Sequence, residues 1–465
     1  MKKKRILIPI VGQGSIIHII RTGILEKMRE FCEPVLLLLW KQDDLLDELK
    51  AQNIEVHIMP EYKFTDAYKA LRLKINYWYQ YFRLKTPSTD IQKGYHFSFR
   101  PGKLVLKQKA RENLLWLRLT LQPGYIKQLV KEEDRALKNS NTYALYKEWL
   151  DKLNGDGIFT VTPFLHEVEL VARILKKGNA QLIASIHSFD NVTKRGWPAI
   201  FFDNYFVWNK YNKAELERIN PAFVGREIIN ITGAPQFDFH YDESFCWSKD
   251  DWLQKLGLPA GKKIILYAGG SANLLPHEPQ YVKHLVEGFE KGLIKEDAVI
   301  LFRCHPLDAV ARWRDFIGNS PFLYYDHKPP AGNKLDFNNF TLDDERRLIS
   351  TLKHTDVHVN ICSTMAVDGS VFNKPQIAPY YDEVNKPAEL LLRAIYNQEH
   401  YLPIVNSGVL YFADTKEKLA ILTNSALQNP GKFNQHCQAC ANEIITYTDG
   451  RSSERVIAKL KTLFA

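Results

Sequence analysis

The chain has 465 residues, a length that predicts two or three domains and excludes a single small module. Hydrophobic residues make up 45% of the chain and charged residues 25%, as in soluble globular proteins, which excludes the disordered, collagen-like and disulfide-scaffold classes. The net charge of +9 favours an anionic partner but is too small to indicate nucleic acid, so no nucleic-acid partner is expected.

The six cysteines are spread along the chain, several of them in apolar runs where a reduced thiol packs as a small hydrophobic group. This distribution predicts a reducing, cytoplasmic location. Cys437 and Cys440 are spaced like half of a zinc site or a redox pair, but no second ligand pair follows, so a plain helix and no metal are expected. The longest apolar run, at 35–40, is far shorter than a membrane span.

Short runs rich in Val, Ile and Leu alternate with helical patterns, which predicts an α/β fold with parallel strands. The first half of the chain contains predicted strands at 5–11, 35–40, 54–60, 157–163, 181–188, 205–209 and 228–234. A polar stretch between about 240 and 262 separates them from a second set, at 262–270, 299–306, 322–326, 357–363, 376–382 and 409–414.

The expected architecture is two Rossmann-like lobes that face a cleft, an N-terminal lobe at 1–245 and a C-terminal lobe at 246–435. Ligands of such sheets bind beyond the carboxyl ends of the strands, so polar residues at those ends are the candidates for function.

Residues 62–150 interrupt the first lobe with a helical, aromatic segment. The segment contains 18 Lys and Arg against 7 Asp and Glu, a balance of +11, whereas the rest of the +9 chain sums to −2. It also contains 16 aromatic residues, a composition typical of an interfacial surface. Two interpretations remain open: a surface for an anionic membrane, or a basic insertion that only packs on its own lobe.

Gly12, Gly14 and Ser15 follow the first strand, where glycine permits a sharp turn into a helix and a close approach of backbone N–H groups to a ligand. The third glycine of the dinucleotide fingerprint and an acidic residue after the second strand are missing, which disfavours NAD.

Polar residues also follow the strand at 181–188. They predict a lining for the acceptor side of the cleft, with a solvated loop as the alternative. The residues are His187, Asp190, Asn191, Thr193 and Lys194.

In the second lobe, Gly269, Gly270 and Ser271 end the first strand and form either a nest of N–H groups for a phosphate or a plain tight turn. Arg303 and His305 lie two positions apart on one predicted strand, so both are expected on the same side at its carboxyl end. This pairing suits a diphosphate, with a structural Arg and a core His as the alternative.

The segment CSTMAVDGSVFNKP at 362–375 predicts a strand end followed by a helix, with Ser363 or Thr364 as its cap. A helix start of this kind is a ready site for an anion. Asp368 is expected to accept from a ribose or sugar hydroxyl.

Six segments taken in order carry a resemblance: SFDNVTKRG, YFVWNKYNK, ITGAPQFDF, the strand end RCHP, CSTMAVDGSVFNKPQI and DGRSSERV. In this order the chain resembles GT-B glycosyltransferases of bacterial surface-polysaccharide synthesis. It is similar in particular to the group related to CDP-glycerol glycerophosphotransferases and capsule or lipopolysaccharide transferases. In that group an Arg-x-His-Pro strand end and a Ser-rich helix start hold the donor diphosphate.

The resemblance implies that Arg303, His305, Ser363, Thr364 and Asp368 bind the donor, and that a terminal helix at 436–465 crosses back to the first lobe. The stretch VNICST lacks the acidic residue and tyrosine that teichoic-acid enzymes carry before the serines. A sugar is therefore expected as the transferred group rather than glycerol phosphate.

These observations predict a cytoplasmic, metal-independent transferase, peripheral at the inner membrane face. It would move a sugar from a nucleotide-sugar donor to a lipid-linked or saccharide acceptor, with no further cofactor. Arg303, His305 and Lys374 are expected to neutralise the leaving diphosphate. The base must act from the first lobe, which nominates Asp190 and His18.

Three alternatives remain. They are a glycerophosphotransferase with a CDP-linked donor, a nucleotide-sugar epimerase, and a non-catalytic subunit that binds a glycan or nucleotide sugar.

Overall fold

A computed structural model describes residues 3–98, 102–272, 274–305, 308–326, 341–384, 386 and 388–464. Every predicted strand overlaps a strand of this structure, although the last residue of the strand expected at 299–306 lies outside the described residues. The strands are β1 (Lys4–Ile10), β2 (Cys32–Leu38), β3 (Glu55–Ile58), β4 (Gly157–Thr160), β5 (Gln181–Ser185), β6 (Asn204–Val207), β7 (Ile229–Ile231), β8 (Lys263–Ala268), β9 (Ala298–Arg303), β10 (Leu323–Asp326), β11 (Val357–Asn360), β12 (Gln376–Pro379) and β13 (Leu410–Ala413).

Helices connect the strands, as expected for parallel pairing. They are α1 (Gln13–Ser15), α2 (Ile24–Met28), α3 (Asp43–Ala51), α4 (Asp66–Trp78), α5 (Pro87–Ser98), α6 (Gly102–Leu121), α7 (Tyr125–Lys138), α8 (Asn141–Leu153), α9 (His166–Leu175), α10 (Asn191–Lys194), α11 (Lys210–Ile219), α12 (Lys249–Leu256), α13 (Pro279–Glu290), α14 (Val310–Ile317), α15 (Leu342–His354), α16 (Met365–Val371), α17 (Leu392–Tyr396), α18 (Leu402–Asn406), α19 (Lys416–Gln428), α20 (Pro430–Phe433), α21 (Cys437–Ile445) and α22 (Ser452–Phe464).

The strands form two parallel sheets, ordered β3-β2-β1-β4-β5-β6-β7 and β10-β9-β8-β11-β12-β13. Their continuous apolar runs follow from burial on both faces, and Ile6, Leu7 and Ile8 are fully buried. The α/β prediction is confirmed. The strand order reverses between β1 and β4 in the first sheet and between β8 and β11 in the second, so ligands are expected at the carboxyl ends of these strands.

The chain divides into two compact units, Met1–Gln236 with Ser452–Ala465, and Phe237–Arg451. In the first unit, α22 buries Val456, Leu460 and Phe464 in the same core as Ile6 and Phe159. The domain bounds given by the sequence, 1–245, 246–435 and 436–465, stay a prediction.

The described part of the insertion at 62–150 is helical and contains α4 to α8, while residues 99–101 lie outside the described residues. A buried cluster of charges attaches it to α9, and we call Arg72, Glu133, Glu169 and Arg173 the anchor cluster. Arg72 Nη2 lies 2.9 Å from Glu169 Oε2, and Arg173 Nη1 lies 2.8 Å from Glu133 Oε1. All four side chains are nearly fully buried, so the insertion packs as part of the first unit.

Within the described ranges, no helix is long and apolar enough to cross a bilayer. Cys437 and Cys440 lie buried in α21, and burial raises the pKa of the Cys437 thiol to about 12.

Candidate functional site

His18 and His187 lie at the carboxyl edge of the first sheet. The chain turns after β1 into α1 and then a π-helical turn, Ile16–Arg21, which places His18 in the core. Its Nε2 lies 3.1 Å from Ser185 Oγ, and the two histidine rings are 6.2 Å apart. A Cβ at Gly14 would lie only 2.3 Å from His187 Nε2, so glycine is needed for this close packing.

Both histidines are neutral near pH 7. Burial lowers the pKa of His18 to about 3 and that of His187 to about 4. Two buried polar atoms at this edge have no hydrogen-bond partner among the described residues, Nδ1 of His187 and Oγ1 of Thr193. The side chain of Gln236 faces His18 and partly opposes the lowering of its pKa. Because buried polar groups are normally paired, this cluster is a candidate for binding hydroxyl groups or water.

The last part of the predicted acceptor-side segment forms α10, and the segment is buried or half-buried rather than a solvated loop. Asp190 precedes α10, and its carboxylate lies 3.0 Å from the Lys194 ammonium. Asn191 and Thr193 are buried, and Arg195 donates to the Asn191 side chain at 3.4 Å.

Two other predicted residues lie in the same turn after β1. Ser15 is fully buried, and Gly12 has an extended backbone, so its conformation does not itself require glycine.

The turn after β8 has already used the N–H groups expected to bind phosphate. Gly269 N–H donates to the Arg303 carbonyl at 2.9 Å, and Gly270 N–H donates to Glu278 Oε2 at 2.8 Å. The Ser271 carbonyl accepts from the backbone N–H groups of Leu274 and Leu275, as in a tight turn. The structure therefore supports the tight-turn alternative over a phosphate nest.

A pair of arginines surrounds one buried carboxylate at the ends of β9 and β10. Arg303 and Asp326 are direct neighbours in the sheet register. Arg303 Nη1 lies 2.5 Å from Asp326 Oδ2, and Arg347 Nε lies 2.6 Å from Asp326 Oδ1. The Nε and Nη2 of Arg303 and both Nη atoms of Arg347 donate to no described residue. This arginine pair therefore keeps N–H donors for a ligand, and together with Asp326 it has a net charge of +1.

His305 is not on the same strand as Arg303, which corrects the expected alternation. β9 ends at Arg303, and His305 lies in the connection beyond it. Burial lowers the pKa of His305, which favours a neutral ring.

Asp368 is engaged by a histidine of the same unit. His240 Nε2 lies 2.9 Å from Asp368 Oδ1, and the imidazole is stacked between Phe237 and Phe372. His240 Nδ1 has no partner among the described residues. Asp368 was expected to be free to accept from a sugar hydroxyl, but its carboxylate already forms a buried pair with His240.

Glu345 completes this group of charges. Burial, followed by the nearby Asp368 carboxylate, raises the pKa of Glu345 to about 8, while Arg303 opposes the shift. The raised pKa favours the protonated form of Glu345 at neutral pH, beside Arg303.

The predicted helix start exists but is short. Thr364 occupies the N-cap position of α16 without a side-chain cap, whereas Ser363 Oγ accepts from Met365 N–H at 3.2 Å. Cys362 before them has a φ of 45°, an unusual conformation for a residue other than glycine.

Lys374 does not belong to the donor site. It lies just before β12, at the amino end of the parallel strands, whereas Arg303 lies at the carboxyl end of β9. The prediction that Lys374 helps to neutralise the donor diphosphate was wrong.

Sequence reasoning missed Arg347, Glu345, His240 and Gln236. Arg347 and Glu345 lie in the charged segment DDERR, which is typical of a solvated helix face and gives no signal of burial. His240 and Gln236 do lie in or directly after the segment ITGAPQFDF that carries the resemblance, so their position was a usable signal.

Residues 201–462 match the model of the CDP-Glycerol:Poly(glycerophosphate) glycerophosphotransferase family. The chain belongs to this family. The match covers the segment of His240, the arginine pair, Glu345 and Asp368, and it makes the protein a transferase of glycosyl or phosphate-linked groups.

Solved structures share the fold of this glycerophosphotransferase family member. UDP-GlcNAc 2-epimerase from Methanocaldococcus jannaschii is 11% identical with a TM-score of 0.55, covering 98% of this chain and 99% of that one. UDP-GlcNAc 2-epimerase from Neisseria meningitidis, bound to UDP-GlcNAc, is 9% identical with a TM-score of 0.54, covering 98% and 100%. A glycosyltransferase from Rickettsia africae is 12% identical with a TM-score of 0.52, covering 100% and 99%.

No curated protein sequence matches the chain. At these identities the structural likeness shows the GT-B type of fold, which the glycerophosphotransferase family member shares with glycosyltransferases and epimerases. Among the described residues, no group of three or more His, Cys, Asp or Glu side chains is arranged to hold a metal ion.

Proposed function

We propose that the protein is a metal-independent transferase that moves a sugar from a nucleotide-sugar donor to a lipid-linked or saccharide acceptor at an anionic membrane surface, in surface-polysaccharide synthesis. The arginine pair carries this proposal. Two guanidinium groups with free N–H donors suit the oxygens of a diphosphate, because their planar forks can bind two oxygens at once.

The arginine pair also accounts for the leaving group without a metal. When the bond from the sugar to the diphosphate breaks, the electron pair stays on the diphosphate, which gains negative charge. The net charge of the pair stabilises that charge where it develops. His305, Ser363, Thr364 and Asp368 complete the proposed donor side.

Asp190 is the proposed general base of the acceptor side. Its side chain is 24% exposed, whereas His18 is fully buried against Ser185. A carboxylate at this edge can take the proton of an acceptor hydroxyl.

His187 then acts as a neutral hydrogen-bonding partner through its unpartnered Nδ1 atom, and the neutral ring of His18 lies beside it. The remaining residues proposed for the acceptor side are Gly12, Gly14, Ser15, Asn191, Thr193 and Lys194.

A second candidate is the transfer of glycerol phosphate from a CDP-linked donor, which the family match favours. The two reactions release different products. Transfer of a sugar from a nucleoside-diphosphate sugar releases the nucleoside diphosphate, whereas transfer of glycerol phosphate from CDP-glycerol releases CMP.

A donor panel with and without EDTA separates these reactions. We expect release of a nucleoside diphosphate from at least one nucleotide sugar, unaffected by EDTA. Release of CMP alone would favour the second candidate, an altered sugar would favour an epimerase, and binding without turnover would favour a non-catalytic subunit.

Asp190→Asn should lower kcat without weakening donor binding. Asp151→Asn is the matched control, because Asp151 also pairs with a lysine four positions away but lies exposed on α8. Equal activities of both variants would remove Asp190 from the site.

A further inference from the structure

α6 has two opposite faces. Val105, Gln108, Glu112, Leu115 and Leu119 recur every three or four residues on the half-buried side, and Leu119 is only 5% exposed. With 3.6 residues per turn, a side chain two positions further along points about 200° away, so Leu117 lies opposite Leu115 and Leu119.

The outward face of α6 is apolar. Leu106, Ala110, Leu114, Leu117 and Leu121 recur at intervals of four, four, three and four residues, which places them in one stripe. Leu106, Leu114 and Leu121 are each 69–70% exposed. Exposed leucines in a continuous stripe are unusual on a surface that faces only water.

Basic side chains border this stripe. Lys107, Arg111 and Arg118 follow the stripe on one side, and Lys109 and Trp116 lie on the other. All five are exposed, and Trp116 lies near the ring of Phe82. The acidic Glu112 of α6 lies on the inward face.

We propose that the outward face of α6 docks on an anionic lipid bilayer, with the helix lying in the plane of the interface. An apolar stripe between basic flanks is the pattern of an interfacial helix, in which leucines enter the acyl boundary and cations pair with headgroups. Its 20 residues span about 30 Å along the surface, too polar overall to cross it.

Charge complementarity decides between the occupants. A second copy of this chain would bring the same lysines and arginines against each other, whereas an anionic bilayer neutralises them. The inference deepens the proposed function by naming the helix that contacts the anionic membrane surface, and it rests on that function for its purpose, which is to bring the enzyme to a lipid-linked acceptor.

The test is co-sedimentation of the full-length protein with phosphatidylglycerol-containing vesicles and with phosphatidylcholine vesicles, without donor or acceptor. We expect binding to the anionic vesicles that weakens at high salt. Leu114→Gln/Leu121→Gln should lower the partition coefficient about tenfold per leucine. Lys107→Gln/Arg111→Gln should lower it about fivefold per cation at low salt.

Val224→Gln/Ile421→Gln is the matched control, since both residues are exposed apolar side chains outside α6. It should bind like the wild type, and circular dichroism should show unchanged helix content in every variant. Wild-type binding by the leucine variant, or no binding by the wild type, would overturn the proposal.

A dimer that the leucine variant alone abolishes would overturn it as well, because it would assign the stripe to a second copy. Nucleotide release with a water-soluble acceptor is measured separately. A failure of that assay alone would count against the proposed transfer and leave membrane docking standing.

Discussion

Arg303→Ala should weaken the binding of nucleoside diphosphates by about 10- to 150-fold. The Nε and Nη2 of Arg303 donate to no described residue, so they are available for diphosphate oxygens. A charge-assisted hydrogen bond contributes roughly 1.5 to 3 kcal/mol, which sets this range. Calorimetric titration with UDP, CDP and GDP measures the loss.

The same change should lower stability only moderately. Removing one partner of a buried ion pair usually costs about 3 to 5 kcal/mol, because it leaves an uncompensated charge. Here Asp326 keeps Arg347 at 2.6 Å, so we expect a cost of about 1 to 3 kcal/mol, in the range of one lost charged hydrogen bond. Thermal unfolding in the absence of nucleotide separates this effect from binding.

Arg314→Ala is the matched control for the titration, since this arginine of the same unit stacks on the ring of Tyr325. Its affinity for nucleotides should equal that of the wild type. Unchanged affinity in Arg303→Ala, or an equal loss in the control, would refute the assignment of the arginine pair to the donor diphosphate.

Three further predictions follow from local contacts. Ser363→Ala/Thr364→Ala should reduce nucleotide affinity less than the loss of the strand-end arginine, because Ser363 Oγ is already used by a backbone N–H; a larger loss in calorimetry would contradict this. The pKa of Glu345 is raised from 4.5 to about 8, so its stabilising contribution is complete below pH about 4.5 and is lost as pH rises through about 8. Glu345→Gln should therefore flatten the fall of Tm across this window, and an unchanged pH profile would argue against it. Arg72→Met should lower the free energy of unfolding by about 3 to 5 kcal/mol in urea, whereas Lys152→Gln at an exposed ion pair should have no measurable effect.

The strands were predictable because burial on both faces imposes a visible apolar run. Their ends were not, since burial continues beyond the hydrogen-bonded ladder: Ile361 is 2% exposed although β11 ends at Asn360. The same limit explains His305, which the apolar pattern placed on β9 although the strand ends two residues earlier.

The contacts of the site depend on pairs distant in the chain. His240 and Asp368 are 128 positions apart, and Asp326 meets Arg347 of α15. No local sequence pattern encodes such pairs. A charged segment has the same sequence pattern whether its carboxylates face water or a buried arginine. Local chemistry nominated Arg303, while only the fold shows how many of its donors remain free.

The anchor cluster also bears on how this chain could have acquired or could lose its insertion. Glu169 and Arg173 belong to α9 of the Rossmann-like unit, whereas Arg72 and Glu133 arrive with the inserted helices. Excision of 62–150 alone would remove one arginine and one glutamate of the cluster, exposing the face of α9 that they cover. Family members without these helices should therefore carry different side chains at the positions of Glu169 and Arg173. The insertion and the face of α9 that it covers should change together in evolution.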